Sequence, residues 1–430
     1  MLIRFEVCNY RSILGPAELS MVAVDQDRAA ARRADLLGQS LLAVAAIFGP
    51  NASGKSNVIA ALAWLRDAVQ YSLRTWDHEI PIEPFAFGDG PTQPSGFAVE
   101  SLINGVRFEY VLELDSAAVR YEGLFHYPEK KRRRIFERDG ADLKLQRGLG
   151  GLSGTRELLT NQTLALSVAH RFDEPLVSGF VRDLTRTQTF GLPRRPRLSR
   201  AGGPHWLSSR STIRWFEDPP PTDPAERSGV ADARPVDRSQ ALALLKMADL
   251  GIVDVLIDEE EVRYPAPADS GFVRAQKRVR LVHEAEQEQV PLDFYAESEG
   301  TRTWFQLIGP VLFALRSGGL LLFDELDASL HPTLSAQLIR LFQDPVTNPR
   351  GAQLIFTSHD TSLFNHLNRD EVWLTEKTRS GTTRLGALAE FAGERVRRSR
   401  NLETAYLHGR FGALPDVDQT GLLRALGLIG

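Results

Sequence analysis

The sequence predicts an α/β fold interrupted by an antiparallel β subdomain and a mostly helical insert. Three observations predict it. An apolar strand, "LLAVAAIF", runs into the glycine-framed loop "GPNASGKS" and then into a helix. After residue 298 the same rhythm returns: a helix ("TRTWFQLIGPVLFALRSG"), an apolar strand ending in acids ("GLLLFDEL"), a further helix and a further strand ("AQLIFTSH"). Between these blocks the apolar pattern alternates with period two, as strands joined by hairpins do.

Taken in order, residues 1–75 read as strand, strand, loop and helix, the first half of a core. Residues 76–148 read as the antiparallel subdomain, with a hairpin at Asn104–Gly105 and another Asp–Gly turn at Asp139–Gly140. Residues 149–289 read as a helical and loop insert, returning to strands towards its end. "GLPRRPRLSRAGGPH" and "EDPPPTDPAERSGVADARP" within it read as linkers, because neither can bury much apolar surface. Residues 290–395 read as the second half of the core, and 396–430 as a C-terminal tail.

Composition narrows the class. The 430 residues suffice for two or three domains, and 43% hydrophobic with 25% charged residues is ordinary for a soluble protein. A net charge of −4 argues against coating nucleic acid through overall charge. Cys8 is the single cysteine, so an intrachain disulfide and a cysteine-based zinc site are excluded. The start, "MLIRFEVCNYRSI", alternates like a strand rather than a signal peptide, and the apolar runs are too short to span a bilayer. A cytoplasmic location without a membrane partner is the expectation.

Four motifs carry chemistry. Gly49 to Ser56 is a complete G-x-x-x-x-G-K-[ST] pattern. Its glycines let backbone N–H groups curl around phosphates, Lys55 can reach the β- and γ-phosphates, and Ser56 can ligate Mg²⁺. The helix that starts there aims its positive end at the anion. The chain has only seven lysines, so a chance match is rare. Asp324 and Glu325 end an apolar strand, which places two carboxylates at the C-terminal edge of a parallel sheet. One can hold the Mg²⁺ water shell and the other can polarise a water. His359 ends the next apolar strand, 359 − 324 = 35 residues on, room for one helix and one strand. It is expected to emerge at the same edge. Ser298 and Gly300 open an amphipathic helix, which makes either an anion-binding device or a plain N-cap.

In this order the motifs resemble the ATP-binding-cassette (ABC) ATPases of the SMC-like branch. That branch includes chromosome-cohesion and DNA-break-repair ATPases, the OLD-type ATPases and AAA-family ATPases of bacterial anti-phage defence. "GPNASGKSN" is similar to its Walker A loop, "LLLFDELDASLHP" to its Walker B and D-loop, and "TSHD" to its switch-histidine segment. "SEGTR" stands where the signature belongs, "NYRSI" resembles the opening strand, and "YLHGRFGALP" is similar to defence-associated members. The resemblance implies an ABC-type P-loop NTPase core that takes ATP and Mg²⁺. Asn51, Gly54, Lys55 and Ser56 would hold the nucleotide, Ser56 and Asp324 the metal. Glu325 would be the general base and His359 the γ-phosphate sensor. Ser298 and Gly300 would clamp ATP bound to a second copy, Asp327 would bridge the two sites, and Arg11 would approach the nucleotide. Two departures stand out: Glu299-Gly300-Thr301 replaces the usual Gly-Gly-Gln, and Gln70 is a Q-loop candidate by location alone.

The 298 − 55 = 243 positions between the two half-sites contain no sustained heptads, which points to a compact ATPase rather than a long tether. "EKKRRRIFER" (129–138) and "PRRPRLSR" (193–200) are candidate contacts for DNA or RNA phosphates, and equally a solvated strand edge and a loop. After His359, 430 − 359 = 71 positions are too few for the TOPRIM-type nuclease that the OLD-type ATPases carry. The leading expectation is therefore an ATP-driven homodimeric or larger switch that controls a separate effector, a nuclease, in anti-phage defence. A DNA-binding ATPase of repair or recombination is the alternative. A transporter ATPase is disfavoured by the insert and the departing signature.

Overall fold

The structure, a computed structural model, describes residues 1–76, 79–149, 152, 154–192, 206–217, 237–248, 251–264, 272–286, 288–391 and 402–408. Its centre is a six-stranded sheet in the spatial order Gln188–Phe190, Leu320–Phe323, Gln353–Ser358, Val44–Phe48, Val372–Lys377, Thr383–Ala387. The first five strands run parallel and the last is antiparallel. Parallel strands covered on both faces need apolar residues at every position, and Val44–Phe48 and Leu320–Phe323 are buried throughout.

The two faces feed two cores, as side-chain alternation along a strand requires. Ala45, Ile47, Leu320, Leu322 and Ile355 face one core, while Val44, Ala46, Phe48, Leu321, Phe323, Leu354 and Phe356 face the other. The first core is closed by the helix Lys55–Thr75 and a seven-stranded antiparallel sheet. Trp64, on that helix, stacks on Phe97 of the antiparallel sheet at 4.8 Å and donates its indole N–H to the Pro81 carbonyl (2.9 Å). The second core is closed by the helices Glu299–Ser317 and Pro332–Gln343, with Trp206–Phe216 and Arg238–Ala248 packed outside the former.

The hairpin read at Asn104–Gly105 is present: Ile103 pairs with Val106, and both turn residues have positive φ (49° and 79°). The antiparallel sheet does not stop at the expected 75/76 boundary. Strand Leu2–Cys8 pairs with Ser95–Ile103, and Ala17–Ser20 lies outside it, so the chain start belongs to this sheet. Leu2, Phe5 and Val7 are buried in its core, where Phe5 pairs with Val99 and Val7 with Phe97. Towards the end of the insert, where strands are expected, Ile252–Tyr264, Phe272–Ala285 and Glu288–Asp293 form a separate three-stranded sheet. Among the described residues no helix is long and apolar enough to cross a membrane. The cluster at 193–200, most of the second linker and positions 409–415 of "YLHGRFGALP" lie outside the described residues.

Candidate functional site

The register of the parallel sheet assembles the site. Phe323 lies beside Phe356, and Ser358 beside Phe48. The residues that follow these strands, Asp324, Glu325, His359 and Gly49, therefore leave the sheet at one edge. The histidine strand sits between the other two.

The loop Gly49–Gly54 is built for close approach. Gly49 (φ 153°) and Gly54 (φ 102°) face other parts of the chain rather than open space. A Cβ at Gly49 would stand 2.4 Å from the Thr375 carbonyl oxygen, and one at Gly54 2.1 Å from the Thr383 hydroxyl. Those two threonines anchor the loop: the Thr375 hydroxyl shares a 2.6 Å hydrogen bond with that of Ser53, and the Thr383 hydroxyl donates to the Ser53 carbonyl (2.8 Å). Asn51 is exposed at the loop's outer turn. Gly54 begins the helix Lys55–Thr75 with no side-chain cap and no acid in the first turn. The first N–H groups of a helix lack internal acceptors, so this terminus is left to an external anion. The buried Lys55 donates to the carbonyls of Gly49 (2.9 Å) and Pro50 (3.0 Å). Burial holds its ammonium below the usual lysine range, against the pull of Asp324, Asp327 and Glu325.

Asp324 is buried, and its Oδ1 accepts from the Thr357 hydroxyl at 2.6 Å. Its backbone N–H donates to the Phe190 carbonyl (2.9 Å), and Gly191 packs so tightly on it that a Cβ would meet the Asp324 carbonyl oxygen at 2.2 Å. Glu325 is exposed and left-handed (φ 55°, ψ 58°), a conformation that costs a residue with a Cβ roughly 1–2 kcal/mol. Its N–H donates to the same Thr357 hydroxyl (2.8 Å). The His359 N–H donates to Asp327 Oδ1 (3.1 Å). Partial desolvation, then repulsion by Lys55, holds its imidazole below the usual histidine range, with Asp327, Glu325 and Asp324 opposing. Lys55, the three carboxylates and His359 thus form one electrostatic cluster.

Arg11 lies beside this cluster but is tied down. It pairs with Glu83 (2.8 Å) and donates to the Asn57 side chain (3.2 Å), which in turn donates to Ser12 (2.7 Å). Gln70 is exposed on the phosphate-loop helix, 15 residues and about 22 Å along its axis from Lys55, so it is not part of the cluster.

Ser298 is the N-cap of Glu299–Ser317, accepting from the Thr301 N–H at 3.1 Å. Ser298, Glu299 and Gly300 are exposed. This helix of 19 residues is roughly 28 Å long, whereas the four-residue acidic strand it joins spans roughly 13 Å. Only Gly318 and Gly319 connect them. The Ser298 hydroxyl bonds to Thr301, within its own turn.

The arginines of 129–138 are largely spoken for. Arg132 pairs with Glu109 and lies over the Phe125 ring, Arg133 pairs with Glu129, and Arg134 with Glu137. Arg138 is buried and donates to the carbonyls of Gly140, Thr163 and Thr160.

The donor set suits a triphosphate with Mg²⁺. Asp324 keeps its second oxygen and Ser56 lies half-buried at the helix start, hard oxygen ligands of the kind Mg²⁺ accepts alongside phosphate and water. Among the described residues no group of three or more His, Cys, Asp or Glu side chains could hold a metal alone.

Fold and phosphate loop define a P-loop nucleotide-binding α/β domain. The chain belongs to the family described as "AAA domain, putative AbiEii toxin, Type IV TA system", matched over residues 44–147 and 168–365. It is similar to the SMC head domain from Thermotoga maritima (12% identity, TM-score 0.39, covering 90% of this chain and 98% of that one). It is similar also to an SmcHead bound to the C-winged helix domain of ScpA (13%, TM-score 0.41, 90% and 97%). A third likeness is to an Smc head domain with an extended coiled coil bound to the C-terminal domain of ScpA, from Pyrococcus furiosus (11%, TM-score 0.38, 90% and 97%). No curated protein matches.

Proposed function

We propose that this chain binds and hydrolyses Mg²⁺–ATP, and that two copies close over two nucleotides as a switch controlling a separate effector. The observation that carries the proposal is the shared sheet edge, where Lys55, Asp324, Glu325 and His359 form one electrostatic cluster, while Ser298 and Gly300 are exposed at the start of another helix. Lys55 and the N–H groups of Gly54 to Ser56 take the phosphates. Ser56 and the free oxygen of Asp324 would hold Mg²⁺, which when bound would supply Lewis-acid stabilisation of the phosphate charge. Glu325 accepts the proton of a water whose oxygen bonds to the γ-phosphorus as the bridging P–O bond to ADP breaks. His359 contacts the γ-phosphate. Ser298 and Gly300 of a second copy complete the clamp, and Asp327, bonded to the histidine loop, links the sites.

Membership in an AbiEii-type toxin family supports a setting in defence against phage, with an effector such as a nuclease supplied by another chain. Arg132, Arg133 and Arg134 already have carboxylate partners within the chain, which favours the effector reading over the DNA-binding alternative.

Glu325→Gln tests the mechanism. Phosphate release is expected to fall about a hundredfold or more, with an ATP-dependent pair accumulating in light scattering. Unchanged turnover would remove Glu325 from the role of base.

A further inference from the structure

We infer that Thr357 is a positioning residue that sets the metal acid and the base as one unit. Its side chain is fully buried at the end of the histidine strand. A threonine hydroxyl has one proton and two lone pairs, and here both kinds of capacity are used on consecutive residues of the neighbouring strand. The proton goes to Asp324 Oδ1 at 2.6 Å, and a lone pair receives the Glu325 N–H at 2.8 Å. The first bond fixes which Asp324 oxygen stays free. The second holds Glu325 in its left-handed conformation (φ 55°), and so decides where its carboxylate stands.

Two residues on, His359 donates its N–H to Asp327 Oδ1 (3.1 Å), so three hydrogen bonds join the end of the histidine strand and its loop to residues 324–327. The clamp is a direct reading of these contacts. Its catalytic consequence rests on the function proposed above.

The test separates the two. In the nucleotide-free chain, amide hydrogen exchange of the 323–328 segment, read by mass spectrometry, is expected to accelerate about tenfold or more in Thr357→Val and to stay near wild type in Thr357→Ser. Thr357→Ala supplies a second hydroxyl-free variant should the valine not fold. For ATP hydrolysis, the valine variant is expected to lose about ten- to a hundredfold in kcat with little change in KM, and the serine variant to recover most of it. Exchange unchanged in both hydroxyl-free variants overturns the clamp. Faster exchange with wild-type kcat overturns the positioning role while leaving the ATPase reading intact. A wild-type chain that binds no ATP, with exchange behaving as expected, overturns the function but not the clamp.

Discussion

Asp324 is held from two directions, by the Thr357 hydroxyl on its side chain and by Gly191 and Phe190 against its backbone. Gly191 has φ 77° and no room for a Cβ, so Gly191→Ala combines backbone strain with a clash against backbone. A loss of roughly 1–3 kcal/mol in urea-unfolding stability is expected, with weaker Mg²⁺ dependence of turnover. The acids and the histidine were legible in sequence because a short strand ending in polar residues exposes them at a sheet edge. Thr357, Gly191, Thr375 and Thr383 were not legible. Each acts through a neighbour 32 or more residues away, except that Thr357 does stand two positions before a histidine already singled out. A hydroxyl inside an apolar strand run was the available signal.

At the scale of elements, the helix Glu299–Ser317 shows the limit of periodicity. Its apolar stripe is readable from the sequence, yet Pro310 lies inside it and leaves the Gln306 carbonyl without its helical donor. Thr212, from the helix Trp206–Phe216, repairs the defect by donating to that carbonyl (3.2 Å) and accepting the Gly309 N–H (2.9 Å). Gly309 permits the approach, since a Cβ there would lie 2.5 Å from the Ser211 backbone. Thr212→Val keeps the shape and removes the partner of the half-buried Gln306 carbonyl and of the buried Gly309 N–H. It is expected to cost about 1–3 kcal/mol, measured by chemical denaturation.

At the scale of the whole molecule, distant parts of the chain are tied across the parallel sheet. Gln353 accepts from the Leu2 N–H (2.5 Å) and donates to the carbonyls of Leu2 and Leu42. On the edge away from the phosphate loop, Asp370 and Glu371 hold Arg28. Burial pushes the Glu371 carboxyl up to about 7, with Arg28 opposing. Its folded value lies above the unfolded one, so its stabilising contribution is full below about pH 4.5 and is lost as pH rises through about 7. Melting temperatures of wild type relative to Glu371→Gln are expected to fall between pH 5 and 8. The pairing of two copies is testable at the same scale. Ser298→Arg and Lys55→Ala should each abolish turnover. Mixing them should restore about a quarter of it, because half the pairs are mixed and each mixed pair keeps one intact site. No recovery on mixing would sink the trans arrangement.

The sequence by itself determined the class and located the elements of the candidate site: a phosphate loop, an acidic strand end, a histidine and a helix cap, each short and local enough to be read from spacing. It could not determine which sheet the first strand joins, because Leu2–Cys8 carries an alternation that fits any half-buried pairing and its partner lies about 95 residues away. Nor could it show that Arg132 pairs with Glu109, which stands on another strand 23 residues away. Tertiary structure decided those points, because register and hydroxyl geometry exist only once strands distant in the chain lie side by side.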